Sequence, residues 1–174
     1  MKHLSLLAVG LTILAIGCGS KSPTSATSNP NLVKFSMALL PSNEVPAVTN
    51  ADAGGSGHVD IAFNITRDAA GAITSATADF TVQLAGFPAG PTLVGAHIHH
   101  APAGQVAGVL VSTGIGNGEI TLPTGSTSFT RTGVTNNMSP DNVLDMVNNP
   151  QNYYFNVHST INTGGCARGQ LVKQ

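Results

Sequence analysis

The chain contains no tryptophan, and only 9% of its 174 residues are charged. Helix bundles cover their outward faces with charged side chains, so this scarcity, together with 20 glycines, points towards a compact β-protein with many tight turns. Positive charge is scarce as well. Seven Lys and Arg stand against eight Asp and Glu, a formal net charge of −1, and no basic cluster is present that could neutralise a run of phosphates. A nucleic-acid partner is excluded on that ground. With only two cysteines there is no disulfide framework to speak of, so stability has to come from packing. The length suits one domain with a real core and is too short to expect two.

Long apolar runs are missing too. The longest stretch, residues 4–16, is about a dozen residues of apolar character behind Lys2 and His3, too short to span a bilayer comfortably. It reads as a signal peptide over residues 1–17. Leu14-Ala15-Ile16-Gly17-Cys18 resembles a bacterial lipobox, with Ala15 where Leu is commonest. That resemblance implies cleavage before Cys18, acylation of its thiol, and a protein held at the cell envelope facing outside the cytoplasm. Gly19 after Cys18, in place of Asp, favours the outer membrane where a cell has one. Removal of Lys2 leaves 7 − 1 = 6 basic residues against 8 acidic ones. With Cys18 lipidated, Cys166 has no intramolecular partner.

Residues 18–31, rich in Ser, Thr, Asn and Pro, offer nothing to bury and read as a flexible tether. The folded domain is expected over residues 32–174. Val33, Phe35, Met37 and Leu39 alternate with polar or small residues, as do Val59, Ile61, Phe63 and Ile65, and then Ala76, Ala78, Phe80, Val82 and Leu84. Period-2 alternation of this kind is the mark of strands with one buried face, and the last two runs make a hairpin across residues 67–71. Further short strands are expected at 94–100, 106–111, 119–122 paired with 128–132, 153–158 and 167–173. Ser139-Pro140-Asp141 starts the one expected helix, near 140–148, with Val143, Leu144, Met146 and Val147 as its stripe. About eight strands with one short helix predict an all-β Greek-key sandwich or barrel. The expected core comprises Val33, Phe35, Val59, Ile61, Phe63, Phe80, Val82, Ile98, Val109, Phe155 and Val157.

Two stretches carry the chemistry: Ala96-His97-Ile98-His99-His100 and Tyr154-Phe155-Asn156-Val157-His158. Successive strand residues face opposite ways, so His97 and His99 share one face, roughly 7 Å apart, and it is not the face of Ala96 and Ile98. His158 likewise lies out of phase with Phe155 and Val157. If the two strands are neighbours, three imidazoles converge outside the core, a donor set suited to copper or zinc and unsuited to calcium or magnesium. The plainer alternative is three hydrogen-bonded histidines on a solvated sheet face. His100 falls on the opposite face, and His58 on the polar phase of its own strand. Cys166 could add a thiolate, but the close Cys-His loop of blue-copper carriers is absent, which favours a buried, inert thiol. Glu44 has no second carboxylate nearby for acid–base hydrolysis and is expected to fix its loop by accepting backbone or Arg168 hydrogen bonds. The glycines at 114, 116 and 118 lack the helix and Lys-Ser/Thr of a phosphate loop, and Ser159 lacks a nucleophile elbow.

Asn43-Glu44-Val45-Pro46, Ala96-His97-Ile98-His99, Gly104 with Gly108, Tyr154-Phe155-Asn156-Val157-His158 and Arg168-Gly169-Gln170-Leu171 resemble, in order, the motifs of the CHRD domain family. This family was first described in chordin and is common in bacterial secreted proteins. The resemblance covers about residues 32–172 and implies a β-domain acting as a binding module more than any defined reaction. A fainter similarity links the His-x-His strand, the late Val-His and the following arginine to the copper half of copper/zinc superoxide dismutase. It implies copper ligation by His97, His99 and His158, with Arg168 as the residue that attracts an anionic substrate. The bridging histidine, the zinc-loop residues and the cysteine pair of that enzyme are missing. A mononuclear site in a non-enzymatic module is therefore the leading expectation, and a copper redox enzyme or a metal-free envelope domain are the alternatives. The protein partner is not legible.

Overall fold

The computed structural model describes residues 29–174; the expected signal peptide, Cys18 and most of the tether lie outside the described residues. Strands β1 (Leu32–Leu39), β2 (Ser56–Arg67), β3 (Ile73–Ala85) and β6 (Thr127–Val134) form one sheet, in the order β1-β2-β3-β6. Strands β5 (Val109–Ser112), β4 (Leu93–His100), β7 (Tyr153–Ser159) and β8 (Ala167–Gln170) form the second, in the order β5-β4-β7-β8. Every pairing is antiparallel. After visiting β4 and β5 in the second sheet the chain comes back as β6 to lie beside β3, the long return of a Greek key.

The two sheets pack face to face because their alternate residues are apolar. Val59, Ile61 and Phe63 of β2, Phe80 and Val82 of β3, Ile98 of β4, and Phe155 and Val157 of β7 are all buried. Phe80 stacks on Phe155 from sheet to sheet, with ring centroids 5.7 Å apart, and Phe35 meets Phe63 edge-on at 5.0 Å. Each such side chain contributes about 1.5–3 kcal/mol by leaving water, so the interface between the sheets holds most of the stability. The β2–β3 turn closes because the Asp68 carboxylate accepts from the backbone N–H groups of Ala70 and Ala72, both at 2.9 Å.

The sandwich is not a closed barrel. Its β1 and β8 edges touch through a reciprocal pair, Leu40 N–H to Arg168 C=O at 3.0 Å and Arg168 N–H to Leu40 C=O at 3.1 Å, and through a bridge between Phe35 and Lys173. The opposite edge, β5, is closed by side chains. Asn136 gives its amide to Ser112 C=O at 2.7 Å and accepts from Ser112 N–H at 2.8 Å, and Asn137 donates to Leu110 C=O at 2.7 Å.

The helix α1 (Pro140–Asn148) falls where the sequence predicts it. Ser139 caps it by accepting from Asn142 N–H at 3.3 Å, and Val143 and Met146 are buried while Leu144 faces solvent. Among the described residues no helix is long and apolar enough to cross a membrane.

Three expectations need correction. Residues 119–122 do not pair with 128–132; Leu93 N–H donates to Ile120 C=O and Leu122 N–H to Pro91 C=O, so this segment lies along the entry to β4. Phe129 instead takes a core place opposite Val82, which carries β6 onto β3. Val109, expected in the core, is 51% exposed, because the register shifts between Ile98 and His99 and turns Val109 away while Val111 stays buried. Val33 is half-buried against the core rather than inside it.

Candidate metal centre

The site is assembled on the face of the second sheet that points away from the sandwich interior. Register pairs His97 with Asn156, His99 with Tyr154 and Gly95 with His158, so the three histidines fall within two strands and about two residue steps. One donor nitrogen from each of His97, His99 and His158 lies within 4.8 Å of the others. Ring centroids are 5.0 Å apart for His97 and His158, 5.7 Å for His97 and His99, and 6.1 Å for His99 and His158. A tetrahedral ion with bonds of about 2.1 Å needs donors about 3.4 Å apart, so small side-chain rotations suffice.

The main chain sets the tautomers. His99 Nδ1–H donates to Ala107 C=O at 3.0 Å and His158 Nδ1–H to Thr163 C=O at 2.9 Å. A neutral imidazole has one hydrogen, so both Nε2 atoms carry bare lone pairs. Backbone carbonyls holding the far nitrogens are also how metal-bound histidines are oriented. His97 differs, because its Nδ1 is buried and has no hydrogen-bond partner among the described residues. Burial first, and then the neighbouring His158 and His99, push its pKa down to about 4. Burial also lowers His99 and His158. The cluster therefore stays uncharged and able to donate lone pairs at neutral pH.

The face is not simply solvated, as a surface set would be. His99 is only 4% exposed, because residues 101–108 fold over it and are tied down from below. The Arg168 guanidinium donates to Gln105 C=O at 2.7 Å and to Pro102 C=O at 3.2 Å, and Gln170 donates to Ala101 C=O at 3.2 Å. Tyr154 is stacked between the His99 ring, at 4.6 Å and 6°, and the Arg168 guanidinium, 3.4 Å from its centroid. Arg168 is buried and committed to this lid.

Glu44 is buried and faces the carboxamide of Asn156, whose Nδ2 lies 3.5 Å from Glu44 Oε1. The expected hydrogen bond to Arg168 is not made; Arg168 acts on Glu44 through charge. Burial raises the Glu44 pKa to about 7 against the opposing pull of Asn156 and Arg168. Cys166 is buried, and burial pushes its thiol up to about 12, with Asp52 and Glu44 adding to the effect. It is inert as a nucleophile. His100 stacks on Tyr153 outside the cluster, and His58 bonds Ser36 and Asp60 on the other sheet.

Sequence reasoning missed Gly95. A Cβ built there would stand 2.5 Å from His97 Cε1 and 3.0 Å from its Nε2, so the imidazole occupies space that any other residue would fill. Its signal was present in the sequence as a glycine in the same strand phase as His97 and His99. Asn156 was missed in the same way, sharing the phase of His158.

Fold and site together define a two-sheet antiparallel sandwich with a histidine cluster under a loop on its outer face. Residues 35–171 match the CHRD domain, and the chain belongs to that family. None of the curated proteins or solved structures compared with the chain matches it.

Proposed function

We propose that this CHRD domain is a non-enzymatic binding module holding one copper or zinc ion on His97, His99 and His158, tethered to the bacterial cell envelope through lipid on Cys18. The observation that carries this reading is the convergence of three uncharged imidazoles, one of them with a buried nitrogen that has no hydrogen-bond partner among the described residues. An orphaned buried nitrogen costs about 1–3 kcal/mol, and ligation to an ion offsets that cost. Nitrogen donors select copper or zinc over calcium and magnesium. A dismutase-like enzyme fits less well, since the guanidinium that would draw an anion is spent on Pro102 and Gln105.

The test is calorimetric titration of the purified protein with Zn(II), and separately with Cu(II) under paramagnetic resonance. One equivalent should bind, each of His97→Ala, His99→Ala and His158→Ala should weaken it sharply, and His58→Ala should not. Equal binding by His58→Ala and the triple variant would remove the proposal.

A further inference from the structure

Main-chain carbonyls orient two of the three histidines, and the loops that supply them are anchored separately. The loop over His99 is tied down by Arg168. The other loop, residues 159–165, places Thr163 C=O 2.9 Å from His158 Nδ1, and a side chain more than a hundred positions earlier holds it. That side chain is Asp52, fully buried on a short 3-10 turn, Ala51–Gly54. Its Oδ2 accepts from Ser159 Oγ at 2.6 Å and from Asn162 Nδ2 at 2.6 Å. Main-chain N–H groups, which can only donate, fix the direction of both bonds. Ser159 Oγ already accepts from Ile161 N–H at 3.2 Å and Asn162 N–H at 2.9 Å, so its own hydrogen goes to Asp52. Asp52 N–H donates to Asn50 Oδ1 at 3.1 Å, so Asn50 Nδ2 donates to Asn162 Oδ1 at 2.8 Å. Asn162 Nδ2 is thereby left facing Asp52. The second carboxylate oxygen, Oδ1, is buried with no hydrogen-bond partner among the described residues. An unmet buried acceptor costs stability, so what this side chain gives the protein passes through Oδ2 to one loop.

We infer that Asp52 is a positioning residue of the metal centre. By holding Ser159 and Asn162 it sets Thr163 C=O where that carbonyl takes the His158 Nδ1 hydrogen and leaves Nε2 as the ligand atom. This role rests on the proposed three-histidine site. The chain of contacts is short. Asn162 C=O closes the loop by accepting from Ser159 N–H and Gly165 N–H, each at 3.2 Å, and Thr163 follows directly in the chain. A displaced Asn162 therefore carries the Thr163 carbonyl with it. Without that acceptor the His158 hydrogen is free to sit on either ring nitrogen, and the tautomer with hydrogen on Nε2 presents no lone pair there. Groups that orient a ligating histidine through its far nitrogen govern metal affinity without touching the ion. The two histidines are thus held by different buried side chains, His99 through the loop on Arg168 and His158 through the loop on Asp52.

The experiment records imidazole nitrogen–proton correlation spectra of the purified metal-free protein at neutral pH, which distinguish the two neutral tautomers, and measures Zn(II) affinity by chelator competition. Wild type should show hydrogen on Nδ1 of both His99 and His158. Asp52→Ala should give a mixture of tautomers at His158 alone, with His99 unchanged, and should weaken Zn(II) binding by about 10- to 100-fold. Asp52→Asn keeps an acceptor oxygen for Ser159 and Asn162, and should rescue both the His158 signal and most of the affinity. Should Asp52→Ala fail to fold, Asn162→Ala, at a half-buried position, carries the same test on the same two readouts. A merely structural Asp52 would lower the unfolding temperature while leaving the His158 tautomer and Zn(II) affinity as in wild type. That result overturns the inference, and so does an Asp52→Asn variant as weak as Asp52→Ala. Failure of the wild-type protein to bind Zn(II) at all is a different result, which sinks the three-histidine reading and this role with it.

Discussion

Gly95→Ala separates the site from the fold more cleanly than any histidine substitution. The added methyl would stand 2.5 Å from His97 Cε1, 3.0 Å from Nε2 and 3.4 Å from Nδ1, so the ring must retreat by about 1 Å to reach ordinary contact. The obstructing atoms are the far end of a side chain, which can rotate away while the strand stays in place. Replacing glycine by alanine at a compatible backbone position stabilises by about 0.4–1 kcal/mol through the unfolded chain, so the melting temperature should hold or rise. Metal binding should not survive as well. Apparent binding free energies of structural zinc sites run to about 10–16 kcal/mol over four ligands, or roughly 2.5–4 kcal/mol per ligand. Displacing His97 should therefore weaken Zn(II) by about 100- to 1,000-fold, measured by competition against a chelator of known affinity, with thermal unfolding run alongside. Wild-type affinity in Gly95→Ala would mean that His97 is not a ligand.

Three further outcomes are expected. Phe155→Ala should cost about 3–5 kcal/mol in urea unfolding, since Phe155 is fully buried and stacked on Phe80, while Val109→Ala at its exposed position should change little. Glu44 and His97 should oppose each other in the pH dependence of the metal-free protein. The Glu44 pKa is raised from 4.5 to about 7, so its contribution is complete below pH 4.5 and is lost as pH rises through 7; His97, lowered from 6.5 to about 4, contributes above pH 6.5 and loses that contribution as pH falls towards 4. Glu44→Gln should consequently gain stability relative to wild type between pH 4.5 and 8, by at most about 3 kcal/mol, and a flat difference across that range would contradict the assignment. Cys18→Ser should leave the membrane fraction, because its thiol is the proposed point of acylation; full retention would remove the lipoprotein reading.

The strand phases were legible because period-2 alternation states directly which side chains share a face. That was enough to set Val59, Ile61 and Phe63 inward and to group His97, His99 and His158. Which strand lies beside which was not legible where local signals mislead. Pro123-Thr124-Gly125 has the composition of a hairpin turn, yet Leu122 drops into the core and β6 crosses to β3. Val109 shows the same limit on a smaller scale, since one register shift reverses its face without any change in composition. Nor does alternation reveal what covers a polar face. The burial of His99 depends on carbonyls of residues 101–108 reaching Arg168 over more than sixty positions of chain, and the meeting of Asn156 with His99 depends on β4 lying beside β7.

The asparagines along β5 bear on how many copies of this protein can share a small space. A chain with 9% charged residues has little electrostatic repulsion to keep neighbours apart, and an unpaired strand edge would invite a second copy to add its own strand. Asn136 and Asn137 imitate that missing strand, meeting the N–H of Ser112 and the carbonyls of Ser112 and Leu110 with side-chain amides. An incoming chain would have to break three hydrogen bonds before making any. Replacing both asparagines would uncover a sticky seam in a protein otherwise short of the charge that keeps colloids dispersed.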